Sequence, residues 1–442
     1  MVRSNQSLEE EYRRVTPRSR AQWERAKKSM PGGIIKGAYA SNPYPHYVAK
    51  ADGCHIWDLD GRKYVDFGNH HTTTLIGHNH PEVVQAIKDE ADRGFGLGGP
   101  TTLEAEIAEE IADRFASIEQ VRFTNSGTEA SLHATRMVRA ISGKPKVAKF
   151  EGAYHGTHDA LEISVNTPID ESGPAESPTP VASQDGQSRS AEDDVVILPY
   201  SDRESVELIL REHKDEVAGV FYDAKPGMWD ISKDFTRFVR DITRELGILM
   251  VMDEVVSLRT GYGGAQTAAG VEPDISIFGK AMGGGLPVGV IGGKAEVMEL
   301  LDHTQGAGHI LQSGSFSGNN FTLAAGLATL RALTPEVYAH LGSLSARLHA
   351  GLERAFTDAG VPHQVLSEGA AANFFITDRP ATSYRAVAMN HDAAMYERIA
   401  FGLFLKGYSL RGGIGFTVSA PMENGHIDGV VEALEQVLAE KD

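Results

Sequence analysis

The sequence predicts an α/β fold, with a large domain built on a mostly parallel central sheet and a smaller α+β domain built from the two ends of the chain. Three observations predict it. Short apolar runs alternate with amphipathic segments through the middle of the chain, as in sheets whose strands are joined by helices. The run at residues 248–252 is apolar throughout, as expected for a strand covered on both faces. After Thr334 this alternation stops.

The N-terminal part predicts helices around a small hairpin. Residues 7–30 are charged and compatible with helix. Short strands on either side of Asp60 and Gly61 indicate a hairpin, because Asp-Gly is a favoured two-residue turn. Pro81 fits the first position of a helix, and apolar residues recur every fourth position from 103 to 115, which indicates an amphipathic helix.

The central part predicts strands and helices in turn, the pattern that produces a parallel sheet with helices on both faces. Strands are predicted at 121–123, 147–150, 195–198, 217–222, 248–252, 275–278 and 288–291, and helices at 128–141, 205–213 and 235–246.

The C-terminal part begins with a helix, because Thr334 is a good N-cap and Pro335 fits the first helical position. Strands near 374–376 and 416–418 are separated by a helix near 395–405, and a last helix is predicted at 427–438. We therefore predict three divisions: an N-terminal segment of the small domain at 1–75, the large domain at 76–333, and the C-terminal small domain at 334–442.

Residues 166–194 differ from their surroundings. They contain no aromatic residue and are rich in Pro, Ser, Asp and Gln. Such a composition predicts a mobile surface loop. Either a plain disordered insertion or a lid over a site would fit it.

Composition excludes several classes of protein. The 442 residues carry 42 basic and 60 acidic side chains, a formal net charge of −18, so we expect neither nucleic acid nor a membrane surface as a partner. The single cysteine, Cys54, cannot form a disulfide within the chain and fits a reducing compartment. No apolar run has the ~18 residues needed to cross a bilayer. We expect a cytoplasmic protein without a structural metal.

A first chemical motif opens the helix after the strand at 121–123. Ser126, Gly127 and Thr128 are small, and two of them carry hydroxyls. A helix N-terminus has unpaired N–H groups and a partial positive charge, which suits a phosphate. The motif has neither the lysine of a P-loop nor the glycine pattern of a dinucleotide turn. A plain helix cap would look the same.

Two charged residues follow apolar strands of the predicted sheet. Asp253 comes directly after the run at 248–252, and Lys280 lies between the strand at 275–278 and a glycine run. Ligands bind at this edge of open α/β sheets. A buried carboxylate needs a cationic partner, which could be the protonated ring nitrogen of a cofactor or a structural arginine. A partly desolvated lysine becomes a nucleophilic amine. Lys149, also at a strand end, is a weaker candidate because no glycine run follows it.

An aromatic residue and an imidazole, Tyr154 and His155, lie in a turn bracketed by Gly152 and Gly156. Such a pair can cover a planar ring, although most Tyr-His pairs are simply packed. Together with the helix start at Ser126, Gly127 and Thr128, with Asp253 and with Lys280, this pair completes the set of groups needed to hold pyridoxal 5′-phosphate. The lysine would form the Schiff base, and the aspartate would keep the ring nitrogen protonated.

The sequence resembles the class III, fold-type I pyridoxal-phosphate aminotransferases, and within them glutamate-1-semialdehyde aminomutase-like enzymes and β-phenylalanine-type transaminases. The resemblance covers nearly the whole chain. Besides the motifs above, the residues that carry it lie at 30–33, 77–81 and 313–319. It implies the fold-type I architecture, the cofactor pyridoxal 5′-phosphate and a homodimer with shared active sites.

The resemblance also implies a role for each motif residue. Lys280 would form the Schiff base and move the proton, Asp253 would contact the ring nitrogen, and Tyr154 would stack on the ring with His155 beside it. Val255 would pack on the opposite face. The remaining residues implied to bind the cofactor hold its phosphate: Ser126, Gly127, Thr128 and, from the neighbouring subunit, Ser315.

This chain departs from the family pattern at two places: among the residues behind those that contact the cofactor, and at a residue that contacts the substrate. Where relatives read Val-Glu-Pro, this chain reads Tyr222-Asp223-Ala224, so an acid is kept but shortened. The arginine of β-amino-acid relatives is matched by Lys36, which cannot form the same two-pronged contact with a carboxylate. Arg411 and His71 are further substrate candidates. His78 and His80 are expected to be structural rather than metal ligands.

These observations favour an aminotransferase that moves an amino group between an amine or an α- or β-amino acid and a keto acid in a ping-pong cycle through pyridoxamine phosphate. An aminomutase, an amino-acid racemase or epimerase, and a lyase remain open alternatives, because the same residues would serve each. A binding protein without catalysis is disfavoured, since it would need neither the lysine nor the aspartate.

Overall fold

A computed structural model describes residues 3–304, 310–410 and 415–440 of the chain. The chain divides into two compact units, each built from segments that are not continuous in the sequence, because residues after Pro335 contribute to both. The smaller unit comprises Met1–Pro81, Glu336–Pro380 and Asn390–Asp442, and the larger comprises Glu82–Pro335 and Ala381–Met389. The three divisions expected from the sequence stay a prediction.

The larger unit contains a seven-stranded sheet, whose strands are numbered along the chain and lie in the order β4 (Gln120–Thr124), β10 (Gly289–Gly293), β9 (Ile275–Gly279), β8 (Leu249–Asp253), β7 (Val217–Tyr222), β5 (Lys146–Phe150) and β6 (Val195–Leu198). Neighbouring strands from β9 to β6 are parallel, whereas β10 runs antiparallel to both β9 and β4. The α/β class with a mostly parallel sheet is thus confirmed.

Helices cover this sheet because its central strands have no solvent-facing side. All residues of β7 and β9 are buried, and the helix Gly127–Ser142 presents Ala134, Met137 and Val138 to the same apolar cluster as Val251 and Ile277. The α-helices of this unit are Pro81–Arg93, Thr102–Arg114, Gly127–Ser142, Arg189–Asp193, Arg203–Glu212, Lys233–Glu245, Gly264–Ala269, Ala295–Met298, Asn320–Ala332 and Tyr384–Asn390; the 3₁₀ turns are Pro226–Met228, Ser257–Thr260, Lys280–Gly283 and Glu299–Leu301.

The smaller unit joins both ends of the chain in one sheet, because the C-terminal strand β13 (Tyr408–Ser409) pairs in parallel with β3 (Lys63–Asp66). The predicted hairpin is confirmed as the antiparallel pair β2–β3. Its sheets have the orders β1-β2-β3-β13 and β11-β12-β14. The strands are β1 (Val48–Asp52), β2 (His55–Asp58), β3 (Lys63–Asp66), β11 (Gln364–Glu368), β12 (Ala371–Phe375), β13 (Tyr408–Ser409) and β14 (Phe416–Thr417), and the long helices are Asn5–Val15, Pro17–Ala26, Pro335–Asp358, Ala393–Leu405 and Asn424–Ala439.

The segment 166–194, which its composition predicts to be a mobile surface loop, makes hydrogen bonds with a helix of the larger unit at Thr167, Ser172 and Gly173; its mobility stays a prediction. Arg385, on the helix Tyr384–Asn390, donates hydrogen bonds to both carboxylate oxygens of Glu151 at 2.8 and 2.9 Å, and to the carbonyls of Ser172 and Gly173 at 2.7 Å each. The hydroxyl of Tyr384 donates to the carbonyl of Thr167 at 2.6 Å. These contacts fasten the segment to the larger unit. Composition missed them because their partner lies more than 200 residues away.

Within the described residues, no helix is both long and apolar enough to span a lipid bilayer.

Candidate active site

The helix Gly127–Ser142 begins at the carboxyl end of β4, at the edge of the sheet. Ser126 is its N-cap and accepts the N–H of Glu129 through Oγ at 3.1 Å. Ser126 is therefore a helix cap, one of the two roles considered from the sequence, but its hydroxyl oxygen accepts the N–H of Glu129 only. The other N–H groups of a first helical turn have no acceptor within the helix, so this terminus keeps donors that can bind an anion.

Three of the sequence motifs meet at Val255. A Cβ added at Gly127 would lie 3.1 Å from Val255 Cγ2, and one added at Gly279 would lie 3.4 Å from Cγ1. Gly279 is the last residue of β9 and directly precedes Lys280. Glycine at both positions therefore brings the helix start, the lysine turn and the residue two after Asp253 into close approach.

Asp253 ends β8 and is 4% exposed. Its Oδ2 lies 2.8 Å from Nδ1 of His155, and its Oδ1 accepts the N–H of Val255 at 2.9 Å. Nε2 of His155 is buried and has no hydrogen-bond partner among the described residues. The two residues, 98 positions apart, thus form one buried polar pair.

A second carboxylate lies beside this pair. Tyr222 and Met252 are partners in the parallel register of β7 and β8, so the residues that follow them, Asp223 and Asp253, emerge side by side. Burial, and next the carboxylate of Asp253, raise the pKa of Asp223 to about 6. Oδ1 of Asp223 accepts the N–H of Lys225 at 2.8 Å.

Lys280 opens the 3₁₀ turn after β9 and has a φ of +51°. This left-handed conformation is uncommon for a residue with a side chain and carries a cost. Gly284, four residues on, has a φ of +58°, and a Cβ there would lie 2.4 Å from the carbonyl oxygen of Ala325. The glycine run is thus required by packing as well as by any ligand.

Tyr154 projects from the turn that follows β5, and 52% of its surface is exposed. The same turn is attached to the helix start, because the N–H of Thr157 donates to Thr128 Oγ1 at 3.3 Å. The exposed ring of Tyr154, in a turn attached to the helix start at Thr128, is available to cover a planar ligand.

Lys149, the weaker lysine candidate, is fully buried within β5 and donates to the carbonyl of Ile163 at 2.5 Å. Burial lowers its pKa to about 7. Its amine is thus desolvated but engaged by backbone, whereas Lys280 occupies the strained turn at the sheet edge.

Ser315 lies in an exposed loop that runs along β4. Gln312 donates to the carbonyl of Phe123 at 3.0 Å, and the Nδ2 of Asn125 lies 3.2 Å from Ser317 Oγ. The loop thus sits beside the residue that precedes Ser126. Leu311 and Phe316 are exposed in it.

Two of the three substrate candidates, Lys36 and His71, lie in the smaller unit and are linked there through His70 and through Tyr39, which the sequence did not single out. Lys36 Nζ is 4.4 Å from the ring centre of Tyr39. The Tyr39 ring is 6.3 Å from that of His70, which is 6.3 Å from that of His71. The third candidate, Arg411, lies outside the described residues.

His70 and His71 belong to a left-handed turn, in which residues Asn69 to Thr72 have φ values of 45°, 47°, 56° and 72°. Side chains make such a run costly, so the turn must be held by its surroundings. Asp66 Oδ1 accepts the N–H of Asn69 at 3.1 Å, and Asn69 Nδ2 donates to the carbonyl of Thr417 at 2.8 Å. No sequence signal marks this turn. His78 contacts the other oxygen of Asp66 at 2.8 Å.

One group among the described residues has the composition of a metal site: Cys54, His55 and His426 offer three ligand atoms within 4.8 Å of one another. Nδ1 of His426 accepts the N–H of Glu423 at 3.0 Å. In the neutral ring the proton is then on Nε2, the atom 3.6 Å from Cys54 Sγ. A ligating histidine needs a lone pair there, so the geometry favours a hydrogen-bonded thiol.

The chain resembles known proteins along nearly its whole length. The model of the family "Aminotransferase class-III" matches residues 37–438. A glutamate-1-semialdehyde 2,1-aminomutase of Heliobacterium modesticaldum is 38% identical over 90% of each chain. An omega-transaminase from Sphaerobacter thermophilus is 36% identical, with a TM-score of 0.91 over 95% of this chain and 97% of that one. A β-phenylalanine aminotransferase from Variovorax paradoxus is 30% identical, with a TM-score of 0.86 over 98% and 97%.

The residues at the sheet edge fit the cofactor of this family. The first-turn amides after Ser126 suit a phosphate, the buried carboxylate of Asp253 suits a protonated ring nitrogen, and Tyr154 offers an exposed ring. A solved transaminase that is 33% identical holds pyridoxal phosphate. The chain belongs to the class-III aminotransferases, and it is an enzyme that uses pyridoxal 5′-phosphate.

Proposed function

We propose that the chain is an aminotransferase that moves an amino group between an amine or amino acid and a keto acid in a ping-pong cycle. The single observation that carries the proposal is the convergence of Gly127, Val255 and Gly279 at the edge where Lys280, Asp253 and Tyr154 are found. When bound, pyridoxal phosphate supplies an aldehyde that condenses with amines and a ring that accepts electrons from the substrate carbon.

The chain's own residues have distinct tasks in this proposal. The Lys280 amine holds the cofactor and afterwards takes and returns the substrate proton, as a positioned general base and acid. Asp253, fixed by His155 and the Val255 amide, keeps a negative charge where the ring nitrogen binds. Tyr154 covers the ring and Val255 supports its other face. Ser126, Gly127 and Thr128 bind the phosphate through the helix terminus.

An aminomutase is the second candidate, and a specific finding favours it, because the relative from Heliobacterium modesticaldum carries that name. The two reactions differ in the fate of the amino group. A transaminase keeps it and passes it to a second molecule, whereas an aminomutase returns it to another carbon of the same molecule. The residues described above would serve both, and they would also serve a racemase, an epimerase or a lyase.

Substrate recognition is proposed for Lys36 and His71, with Arg411 as a further candidate. The support is that Lys36 and His71 are linked through Tyr39 and His70, and that cationic and imidazole groups suit a carboxylate. Because lysine replaces the arginine of β-amino-acid relatives, we expect a weaker and less directional contact with the acid group.

We also propose a cytoplasmic homodimer in which Ser315 reaches the phosphate of the neighbouring active site. The exposed apolar side chains Leu311 and Phe316 on either side of Ser315 support an interface at this loop. The net charge of −18 and the single cysteine support the cytoplasm.

Stoichiometry distinguishes the two candidate reactions. The loaded enzyme is mixed with one amino donor and no keto acid, across a panel of α-amino acids, β-amino acids and simple amines. A transaminase releases one carbonyl product per active site and then stops until a keto acid is added. Catalytic isomer formation without carbonyl release would reject the transaminase in favour of the mutase. Turnover by neither route, with every donor, would reject both.

A further inference from the structure

Glu254 lies between Asp253 and Val255, two residues of the candidate site, and none of its surface is exposed. Its backbone N–H donates to the carbonyl of Ile277 at 2.8 Å and so continues the pairing of β8 with β9. Successive side chains of an extended strand point to opposite faces of the sheet. The Glu254 carboxylate therefore lies away from the partners of Asp253, and the motifs assigned it no role.

The Glu254 carboxylate binds the start of the helix Gly264–Ala269. Its Oε2 accepts the N–H of Ala265 at 3.0 Å. Its Oε1 accepts the N–H of Gln266 at 2.8 Å and lies 3.4 Å from the Gln266 side-chain Nε2. The first amides of a helix have no acceptor within it, and its positive end favours a negative charge. The carboxylate thus attaches the end of β8 to a helix farther along the chain.

Two further side chains extend this attachment into a buried polar network. Ser257 Oγ donates to Oε2 of Glu254 at 2.5 Å and lies 3.0 Å from the carbonyl oxygen of Asp253. Nε2 of Gln266 lies 3.2 Å from Oγ of Ser276, which belongs to β9. The Glu254 carboxylate is therefore connected with both strands that carry the charged residues of the site.

Gly264 shows how closely the chain returns to this carboxylate. It has a φ of +65°, and a Cβ added there would lie 2.7 Å from Cδ and from both oxygens of Glu254. Only glycine fits such an approach. Burial raises the pKa of Glu254 to about 6, and hydrogen bonds from Ser257, Gln266 and Ala265 oppose this rise. The loop from 255 to 263 thus begins and ends at one carboxylate.

The segment that Glu254 attaches also holds the site residues on its two sides. The N–H of Val255 donates to Oδ1 of Asp253 at 2.9 Å. The Val255 side chain is what a Cβ at Gly127 or at Gly279 would meet, at 3.1 and 3.4 Å. Because the peptide between Glu254 and Val255 carries this N–H, fixing Glu254 fixes the direction in which the N–H points, and with it the Asp253 carboxylate.

We propose that Glu254 is a positioning residue, whose buried carboxylate holds the backbone after β8 and thereby orients the Asp253 carboxylate and the Val255 side chain toward the cofactor. The inference rests on the proposed function in one respect, the assignment of Asp253 to the ring nitrogen and of Val255 to the ring face. A merely structural role would stabilise the fold and leave the bound cofactor unaltered.

The first measurement uses the full chain as purified, before cofactor is added, and follows amide hydrogen exchange in the segments 253–257 and 264–267. The variant Glu254→Gln keeps the size of the side chain but replaces one acceptor oxygen by an amide group that cannot accept. We expect exchange at Val255, Ala265 and Gln266 to become at least about tenfold faster, because a buried hydrogen bond is lost and local opening becomes easier. Ser257→Ala should show a smaller change of the same kind.

The matched control is Asp274→Asn. Asp274 precedes β9 and acts at the opposite end of the same two strands, because its Oδ2 accepts the N–H of Met250 at 2.7 Å and contacts Nη1 of Arg240 at 2.6 Å. Its loss should lower the thermal unfolding midpoint without faster exchange at Val255. Equally fast exchange at Val255 in Asp274→Asn and Glu254→Gln would indicate a general loosening of the sheet and would overturn the proposal.

The second measurement uses the same proteins loaded with pyridoxal phosphate. The visible absorption of the bound cofactor is titrated with pH, and kcat and KM are measured with an amino donor. In Glu254→Gln the absorption profile should shift and kcat should fall about tenfold or more, since a displacement of about 1 Å can cost about 10²-fold. KM for the donor should change little, because the lost orientation acts on the reaction step. Asp274→Asn should match the unchanged chain.

A folded Glu254→Gln protein with the absorption profile and kcat of the unchanged chain would overturn the proposal, even with faster exchange. If Glu254→Gln does not fold, Ser257→Ala decides, and an unchanged absorption profile in that variant overturns the proposal. Failure of the unchanged chain to release a carbonyl product from any amino donor would instead reject the proposed function. The exchange rates and the absorption profiles do not depend on that release and would still decide the role of Glu254.

Discussion

At the scale of single residues, the site combines strain with burial. Lys280 is held at a φ of +51°, a conformation that costs about 1 kcal/mol or more for a residue with a side chain. Such strain persists only where the surroundings impose it. Here Gly284, four residues on, leaves no room for a side chain, because a Cβ there would lie 2.4 Å from the carbonyl oxygen of Ala325, and a Cβ at Gly279 would lie 3.3 Å from the carbonyl oxygen of Val288. The turn therefore fixes where the amine begins.

Lys280→Ala should remove both the covalent attachment and the proton carrier. We expect the visible absorption of the attached cofactor to vanish and turnover to fall by at least about 10³-fold, since a positioned acid or base contributes roughly 10²–10⁴. Borohydride treatment of the loaded protein should add the cofactor mass to the peptide with Lys280. Lys294→Ala is the control, because Lys294 is a surface lysine of the same unit. Normal turnover in Lys280→Ala would refute the assignment.

At the scale of elements, much of the large sheet was predictable, because buried strands are continuous apolar runs in the sequence. The strands β7, β8 and β9 are apolar runs, and the helix Gly127–Ser142 matches its predicted extent within a residue at either end. The meeting of Asp253 and Lys280 at one edge follows from parallel strands, whose carboxyl ends share an edge. The sequence alone therefore predicts that Asp253 and Lys280 lie at the same edge of the sheet.

Other elements could not be predicted, for physical reasons. The antiparallel direction of β10 depends on the path of the connection before it, which alternation of apolar runs does not encode. The left-handed turn Asn69–Thr72 consists of residues without the preference of glycine for positive φ, and tertiary contacts impose it. The burial of Arg259 carried no signal either, because a buried arginine and a surface arginine look alike in sequence.

The segment 166–194 belongs to this scale, because one helix fastens it. Arg385→Met would leave the Glu151 carboxylate, 4% exposed as a side chain, without its partner. Breaking such a pair costs on the order of 3 kcal/mol. We expect faster proteolytic cleavage between residues 166 and 183. Arg379→Met is the control, because Arg379 is exposed and its pairing with Asp378 is loose at 3.7 Å. Equal cleavage rates in the two variants would show that Arg385 does not hold the segment.

At the scale of the whole molecule, some exposed apolar residues of the larger unit, such as Ile141, Leu208 and Met389, occur singly, whereas others occur in pairs. Phe95 and Leu97 are exposed in one loop, and Leu311 and Phe316 in the loop that carries Ser315. Monomeric proteins rarely leave large apolar side chains clustered in water. The proposed homodimer would cover side chains of this kind, whereas the acidic charge of −18 is a property of the whole chain and selects no face.

Phe316→Asp tests the dimer, because a carboxylate in a covered apolar interface must be desolvated without a partner. We expect sedimentation to change from the mass of two chains to that of one, or the dissociation constant to rise at least tenfold. If Ser315 reaches the neighbouring site, affinity for pyridoxal phosphate should fall in parallel. Leu208→Asp is the matched control, since Leu208 is 68% exposed on the helix Arg203–Glu212, away from the Ser315 loop in sequence. A Phe316→Asp protein that stays dimeric would place the interface elsewhere, and dissociation with unchanged cofactor affinity would remove Ser315 from the site.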